Sequence, residues 1–304
     1  MSLRTHVRKA LGKLPLAEGY LRERHLRSRF AVELALIDGT HVNANTHPSI
    51  LHFSVNKAAT QYTKNILRRC AVHNGMVSVG IHDYAFHSQF PYLDHLSPAE
   101  MRRYQHVFKP TGYLYSVFGG MIEGIPRLDR YKVVLMVRDP RDVMVSSYYS
   151  VAYSHPVPMP GSGKRDDFMS ARETARRVSI DEYVLAETAD TARIFERYKT
   201  LLVDAHPSAY ITTYEEMTGN FERWLTGLLA ACQLPISEDL RGAIREEHAR
   251  LTPRDEDARR HIRKGRAGDF QEKLKPETIE TVNAKLGPVL EAFGYTVSSA
   301  RCSG

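Results

Sequence analysis

The feature that most constrains the fold is an aliphatic run that leads directly into a helix-start signal. The segment KVVLMV, Lys132 to Val137, does not alternate between polar and apolar residues, so it predicts a strand buried on both faces. Asp139 and Pro140 follow at once; these residue types are favoured at the N-cap and at the first helical position. A buried strand followed by a helix is a unit of a parallel α/β sheet.

The same succession recurs along the chain. Apolar runs predict four further strands, and helical spacing or capping signals predict the helices between them. The strands are Ile50–Val55, Met76–Ile81, Tyr113–Phe118 and Tyr210–Thr213; the main helical stretches are Thr60–Cys70, Met169–Val203, Phe221–Cys232, Glu238–Arg250 and Pro276–Phe293. We expect one α/β domain over residues 46–296, a central parallel sheet with helices on both faces, preceded by a basic arm or helix at 1–45 and followed by a tail at 297–304.

The net charge limits the kinds of binding partner to expect, and the cysteine content indicates the cellular compartment. Lys and Arg exceed Asp and Glu by seven, which favours an anionic partner such as a phosphate, a nucleotide, a nucleic acid or a membrane surface. The three cysteines are odd in number and have no metal-ligand spacing, so reduced thiols and a cytoplasmic location are expected. The basic N-terminus has no continuous signal-peptide core; peripheral contact with a membrane surface is the alternative interpretation.

A first candidate anion site lies between the first strand and its helix. The segment Ser54 to Tyr62 reads SVNKAATQY. Such a turn directs backbone N–H groups and the positive helix end at an anion, and Lys57, Thr60 and Gln61 add a charge and side-chain donors. It is not a Walker A loop, because that motif needs two glycines before its lysine.

A second candidate site follows the buried strand. Arg138 stands at its carboxyl end, where α/β proteins place ligands, and Ser146 comes two helical turns later. Asp139 is expected to be the helix N-cap, with Asp142 completing the capping arrangement. An arginine at the end of such a strand is costly to bury without a charged partner.

A third candidate site is the cationic, glycine-containing segment His261 to Phe270, HIRKGRAGDF. Charge runs of this kind are usually solvated surface. The segment Gly161 to Lys164, GSGK, looks similar to a phosphate loop, but no strand precedes it and no Ser or Thr follows the lysine.

The three segments, in this order, resemble the nucleotide-binding elements of sulfotransferases that use 3′-phosphoadenosine-5′-phosphosulfate (PAPS). The first is similar to the 5′-phosphosulfate loop P-K-[SA]-G-T-T, the second to the 3′-phosphate motif R-[ND]-P-[KR]-D-x-x-x-S, and the third to R-K-G-x-x-G-D-[WF]. Tyr214 to Met217, YEEM, resembles the family's Y-E-[DE]-M. The resemblance extends from about Leu51 to Phe270 and implies a P-loop-like α/β fold.

The resemblance also implies ligand roles. PAPS would be the sulfuryl donor and 3′-phosphoadenosine-5′-phosphate (PAP) the product, with no metal. The residues implied at the 5′-phosphosulfate are Lys57, Ala58, Ala59, Thr60, Gln61 and Tyr62; those at the 3′-phosphate are Arg138, Ser146, Arg263, Lys264 and Gly265; Tyr214 would contact the adenine. Two departures stand in the first loop, where Asn56 replaces the usual Pro and Ala59 the usual Gly.

The general base cannot be carried over from the family. Cytosolic members have a catalytic His on the strand that here reads Gly112 to Phe118, which contains none. Candidates lie in the segment after the second strand: His82 and Asp83 first, then His87, with Glu123 further along the chain. His82 and His87 do not indicate a metal site, because no third ligand accompanies them.

The acceptor site is expected in the same segment. Tyr84, Phe86, His87 and Phe90 could line a pocket for a small-molecule, glycan or lipid acceptor. Two other functions are compatible with parts of the pattern. A P-loop-like nucleotide kinase or phosphotransferase would need the missing Walker A loop, and a non-catalytic anion or nucleic-acid binder would need a recognition motif that the sequence lacks, so no nucleic-acid partner is expected.

Overall fold

The central sheet of the molecule has five parallel strands. The computed structural model describes residues 15–251 and 267–297, and within them the strands form one sheet in the order β2-β3-β1-β4-β5. Their bounds are β1 Ile50–Ser54, β2 Val77–Val79, β3 Tyr113–Phe118, β4 Lys132–Val137 and β5 Tyr210–Thr213. The predicted α/β class with a parallel sheet is confirmed, and the predicted bounds of β3, β4 and β5 agree with the structure.

Helices join and cover these strands. They are α1 Pro15–Arg29, α2 Ala31–Ile37, α3 Thr60–His73, α4 Ile81–His87, α5 Pro98–Met101, α6 Pro140–Tyr149, α7 Arg165–Arg177, α8 Ile180–Tyr198, α9 Tyr214–Gly219, α10 Phe221–Cys232, α11 Glu238–Leu251, α12 Phe270–Lys273 and α13 Pro276–Ala292. A π-helical turn, Ser150–Ser154, extends α6, and a second, Lys199–Val203, extends α8. Every residue of β1 and of β3 is buried, so both faces of the sheet are covered.

The topology places three strand ends side by side. β1 lies between β3 and β4 and is parallel to both, so the loops that follow these three strands leave the same edge of the sheet. The chain order reverses on the two sides of β1, and ligands in open α/β sheets bind in the crevice at such a point. The loop with Lys57, the segment after Phe118 and the turn at Arg138 therefore meet there.

The hydrophobic core is built mainly from the strands and the helices that cover them. The core also includes Leu36 on α2, which is fully buried. Leu36 precedes residue 46, where the sequence predicts that the domain begins. A second buried cluster packs α13 against α6 and α8. Within the ranges given above, no helix is both long and apolar enough to cross a bilayer.

Candidate active site

The loop after β1 turns sharply before α3 begins. Lys57 and Ala59 both have left-handed backbone conformations, with φ of 69° and 55°. Ala59 is the residue before the helix, and no side chain in the described part of the chain caps that helix. The N–H groups of its first turn are therefore available to an anion in the crevice.

Ala59 holds a conformation that costs a residue with a Cβ about 1 kcal/mol. We expect Ala59→Gly to raise the free energy of unfolding by up to about 1 kcal/mol, because glycine relieves this strain. Urea denaturation at constant m-value measures the change. Ala58→Gly is the matched control: Ala58 is fully buried and lacks a positive φ, so that substitution should lower stability. A loss of stability in both variants would contradict the strain.

Lys57 points along the crevice toward the helix that follows β4. Its Nζ donates a hydrogen bond to Ser150 Oγ at 2.7 Å. Burial, and next the charge of Arg138, lower the pKa of Lys57 to about 8. The same lysine binds the second candidate site through its backbone, since Arg138 Nη1 donates to Lys57 O at 3.1 Å. Two cationic groups that lie 81 residues apart are thus brought together.

Arg138 is buried at the end of β4, with 6% of its surface exposed. Its guanidinium lies 4.3 Å from the ring centroid of Tyr214, the first residue of α9, and its Nη2 donates to Asp142 Oδ2 at 3.2 Å. A buried arginine needs a charged partner, and the structure identifies Asp142 as one.

Asp142 does not complete a capping box, which corrects the sequence interpretation. Asp139 is the N-cap as predicted and accepts from Arg141 N at 2.9 Å, but the backbone N–H of Asp139 donates to Glu215. Asp142 has no exposed surface and also accepts from the backbone N–H groups of Gly268 at 2.8 Å and Phe270 at 2.9 Å. It therefore fixes the end of the third candidate segment beside Arg138.

The remaining residues implied for the nucleotide are placed as follows. Thr60 Oγ1 bonds Ser54 Oγ and Val55 O inside the loop. Gln61 is exposed, and Ser146 is half-buried on α6. Tyr62 turns away from the loop, where its hydroxyl lies 3.1 Å from His248 Nδ1. Arg263, Lys264 and Gly265 lie outside the described residues.

His82 reaches the end of β3 from the first turn of α4. Its ring packs edge-on against Phe118, the last residue of that strand, with 5.1 Å between centroids. The N–H of Gly119 donates to His82 Nδ1 at 3.4 Å, and His82 Nε2 lies 3.1 Å from Asp94 Oδ1. Gly119 in turn lies against Asn56, because a Cβ built on Gly119 would stand 3.5 Å from Asn56 Oδ1. An imidazole therefore lies beside the loop that carries Lys57.

The other candidate bases have different surroundings. Asp83 pairs with Lys64 and lines a separate cavity of about 530 Å³ with Arg29, Phe30 and Glu33. Glu123 pairs with Arg197 at 2.9 Å. His87 packs on Phe86, with 4.8 Å between ring centroids, and burial, followed by the charge of Arg29, lowers the pKa of His87. Of the four candidate bases, His82 is the one whose ring contacts the end of β3, at Phe118 and Gly119.

The aromatic residues of α4 and of the segment after it contact the loop between α6 and α7. Tyr84 packs on Phe90 at 5.5 Å between centroids, and Phe86 packs on His155 at 5.8 Å. Lys164 Nζ donates to the carbonyl oxygens of Ala85, Ser88 and Phe90. Lys164, the lysine of the GSGK segment, therefore donates its hydrogen bonds to backbone carbonyl groups of the protein. Among the described residues, no group of three His, Cys, Asp or Glu side chains could hold a metal ion.

Two solved structures with similar folds are mouse sulfotransferase SULT7A1 complexed with PAP (14% identity, 84% of this chain and 89% of that chain, TM-score 0.45) and retinol dehydratase in complex with androsterone and inactive cofactor PAP (15% identity, 81% of each chain, TM-score 0.45). No curated protein sequence matches the chain.

The family comparison covers the half of the chain that contains Arg138, Tyr214 and the third basic segment. The model of the sulfotransferase domain matches residues 125–294, which is more than half of the sequence. The resemblance stated from the motifs is confirmed: the chain belongs to the sulfotransferase family and is an enzyme of sulfuryl transfer.

Proposed function

We propose that this enzyme transfers the sulfuryl group of PAPS to a hydroxyl or amine of a small apolar acceptor and releases PAP. The observation that carries the proposal is the junction of two cationic sites in one crevice, where Arg138 donates to the backbone of Lys57. PAPS bears anionic groups at both ends of its ribose, so two separate cationic positions fit it. Arg suits bidentate phosphate contact, and a helix N-terminus suits the phosphosulfate.

The loop Lys57 to Tyr62 holds the 5′-phosphosulfate in this proposal. The open N-terminus of α3 offers the anion the backbone N–H groups of Thr60, Gln61 and Tyr62, and the exposed side chain of Gln61 adds a donor. Lys57 meets the negative charge that develops on the bridging oxygen as the S–O bond breaks. Such charge stabilisation in a site of fixed geometry is the largest contribution that a protein makes to group transfer of this kind.

The 3′-phosphate is held by Arg138 and Ser146, together with Arg263, Lys264 and Gly265. The support for the third segment is the bond from Gly268 N to Asp142, because only two residues lie between Gly265 and Gly268. Tyr214 contacts the adenine, and its ring lies under the Arg138 guanidinium. Phosphate binding and base binding are thereby coupled through one side chain.

His82 is the general base. The strand that carries a His in cytosolic relatives ends here at Phe118, and the His82 ring packs on that residue, so a neighbouring helix supplies the imidazole to the same strand end. Histidine suits proton removal near neutral pH. The sequence also offered Asp83 as a base, but its pairing with Lys64 favours His82.

The acceptor lies among Tyr84, Phe86, His87 and Phe90. Aromatic rings with a few polar groups suit a flat, apolar molecule that carries one hydroxyl, which favours a small molecule over a glycan. A lipid acceptor fits the same chemistry, and the arginines of α1 (Pro15–Arg29) would support peripheral contact with an anionic membrane surface. Buried free thiols at Cys70 and Cys232 support a cytoplasmic location.

Ligand-induced thermal shifts test the donor assignment. We expect PAP to stabilise the protein strongly and ATP weakly, because ATP has no 3′-phosphate for Arg138. Arg138→Ala should weaken PAP binding by about 2–4 kcal/mol, through loss of a charge-assisted hydrogen bond from a buried group. Binding of adenosine-5′-phosphosulfate, which lacks the 3′-phosphate, should change little.

The matched control is Arg127→Ala, since Arg127 is an exposed arginine that pairs with Asp129. It should leave the affinity for all three nucleotides unchanged. Equal stabilisation of the unmodified protein by ATP and PAP would refute PAPS as the donor. An equal loss of PAP and adenosine-5′-phosphosulfate in Arg138→Ala would refute the 3′-phosphate role alone.

A further inference from the structure

A buried carboxylate stands behind the imidazole at the end of β3. Asp94 lies in a short 3₁₀ turn, Leu93–His95, and its Oδ1 is 3.1 Å from His82 Nε2. Both side chains are nearly buried, with 12% of His82 and 10% of Asp94 exposed. Burial alone would raise the pKa of Asp94, but the adjacent imidazole of His82 and its charge outweigh it and hold that pKa below its usual value. The carboxylate is therefore anionic at neutral pH.

The surroundings fix both partners in orientation. The rings of Phe118 and Tyr92 meet the imidazole edge-on, at 5.1 Å and 5.4 Å between centroids. The backbone closes over the carboxylate at Gly120, where a Cβ would lie 2.6 Å from Asp94 Oδ2. A position that admits only glycine without displacing the carboxylate indicates a closely fitted pair.

The two imidazole nitrogens have different partners. A neutral imidazole donates from one nitrogen and accepts at the other. An anionic carboxylate accepts only, so it places the proton on Nε2. Nδ1 is left as an acceptor, and its contact is the N–H of Gly119 at 3.4 Å, which is long for a hydrogen bond. Nδ1 faces the strand end beside Asn56 and the Lys57 loop.

We propose that Asp94 is the positioning residue for His82: it fixes the Nε2–H tautomer, so that Nδ1 is the atom that takes the acceptor proton. This inference rests on the proposed function of His82. In the step, the acceptor oxygen bonds to sulfur and its proton passes to Nδ1. The bond from sulfur to the bridging oxygen breaks, and its electron pair stays on the released PAP. The anionic Asp94 stabilises the imidazolium, which then returns its proton to solvent.

The tautomer is measured directly by two-dimensional ¹⁵N–¹H correlation of the histidine rings in the full-length protein with PAP bound. His82→Gln assigns the signal. We expect neutral His82 to carry its proton on Nε2, with that proton strongly deshielded, and Asp94→Asn to remove the deshielding. An Nδ1–H form in the unmodified protein overturns the inference, whatever the acceptor is.

Turnover separates a positioning role from a structural one. The probes are PAPS and a series of phenols from p-cresol to p-nitrophenol. Asp94→Asn should lower kcat by on the order of 10²-fold while PAP affinity changes less than about threefold, and the loss should shrink as the phenol becomes more acidic. A purely structural carboxylate gives a loss independent of acceptor acidity, which contradicts the proposal.

Two further variants keep the outcomes apart. Gly120→Ala displaces the carboxylate without removing it, and it should lower kcat in the same direction if Asp94→Asn does not fold. Asp129→Asn is the charge-matched control on the surface, where Asp129 is 64% exposed, and it should change nothing. Full turnover in His82→Gln refutes the base itself; turnover lost in His82→Gln but kept in Asp94→Asn refutes only the role of Asp94.

Discussion

Lys57→Ala is expected to lower the rate of sulfuryl transfer by on the order of 10²–10³-fold, the loss typical of removing one group that stabilises transition-state charge. The dissociation constant for PAP should rise far less, because the charge that Lys57 meets is greatest while the S–O bond breaks. Single-turnover transfer at saturating PAPS measures the first quantity, and calorimetry with PAP measures the second.

The control for Lys57 is a second substitution at the same position. Lys57→Arg keeps the positive charge, but a planar fork cannot occupy the place of a compact ammonium, so we expect poor rescue. If Lys57→Ala weakens PAP binding and leaves single-turnover transfer unchanged, Lys57 is a binding residue and its place in the transition state is wrong.

The low pKa of Lys57 gives this assignment a pH signature. Burial, with Arg138 second, lowers it to about 8, so the free enzyme loses the ammonium charge as the pH rises through that value. kcat/KM for PAPS reports the free enzyme and should fall above about pH 8. The anionic donor stabilises the ammonium once bound, so the corresponding limb in kcat should lie at higher pH. Identical basic limbs in both profiles would assign that limb to another group.

The sheet was predictable because its strands are unusually uniform. After Lys132, β4 is a continuous aliphatic run that ends before Arg138, and β3 is a largely apolar run, interrupted by Ser116, between Gly112 and Gly119. A fully buried parallel strand leaves such a pattern in a sequence. The predicted ends of strands were wrong where tertiary contacts override local sequence signals. The second strand was predicted over Met76–Ile81 but is Val77–Val79, and α4 already begins at Ile81, so His82 lies in the first turn of a helix instead of directly after a strand.

The contacts that build the site could not be predicted from spacing. Asp142 has the position of a capping residue, and local rules favour that interpretation; its bonds to Gly268 and Phe270 join segments 126 and 128 residues away. Asp94 carries no motif at all. Asp142 lies beside Arg138 and Asp94 lies beside His82 only in the folded chain. The roles proposed for the two aspartates therefore follow from the structure and not from spacing in the sequence.

Ala59 departs from the rule that glycine is favoured at a position with positive φ. Glycine is usual at this position in the family that the loop resembles, and a residue with a Cβ is strained at positive φ. The structure keeps the left-handed conformation with alanine in place, so the open helix N-terminus is retained at a cost in strain.

Asp142→Asn is expected to be the most destabilising of the conservative substitutions proposed. The side chain is fully buried and receives three donors, from Arg138, Gly268 and Phe270. An amide has one oxygen, so at least one donor loses its acceptor, and the buried Arg138 charge loses one of its anionic neighbours. Breaking a buried pair in this way costs about 3–5 kcal/mol, which urea denaturation would measure.

The same substitution should change nucleotide selectivity. Asp142 binds both the Arg138 guanidinium and the backbone of Gly268 and Phe270, so Asp142→Asn should weaken PAP binding much more than binding of adenosine-5′-phosphosulfate. Asp139→Asn is the matched control from the same motif, because Asn also caps helices and Asp139 pairs with Arg141 rather than Arg138. It should cost stability yet keep the preference for PAP.

A double-mutant cycle then decides whether Asp142 acts through Arg138. If the aspartate serves the 3′-phosphate only by orienting that guanidinium, the losses in PAP affinity from Asp142→Asn and Arg138→Ala should fall well short of adding. Additive losses would mean that Asp142 acts instead through the Gly268 and Phe270 backbone, by placing the third basic segment. If Asp142→Asn leaves the preference for PAP over adenosine-5′-phosphosulfate unchanged, Asp142 acts neither through Arg138 nor through the Gly268 and Phe270 backbone. The carboxylate then only stabilises the fold.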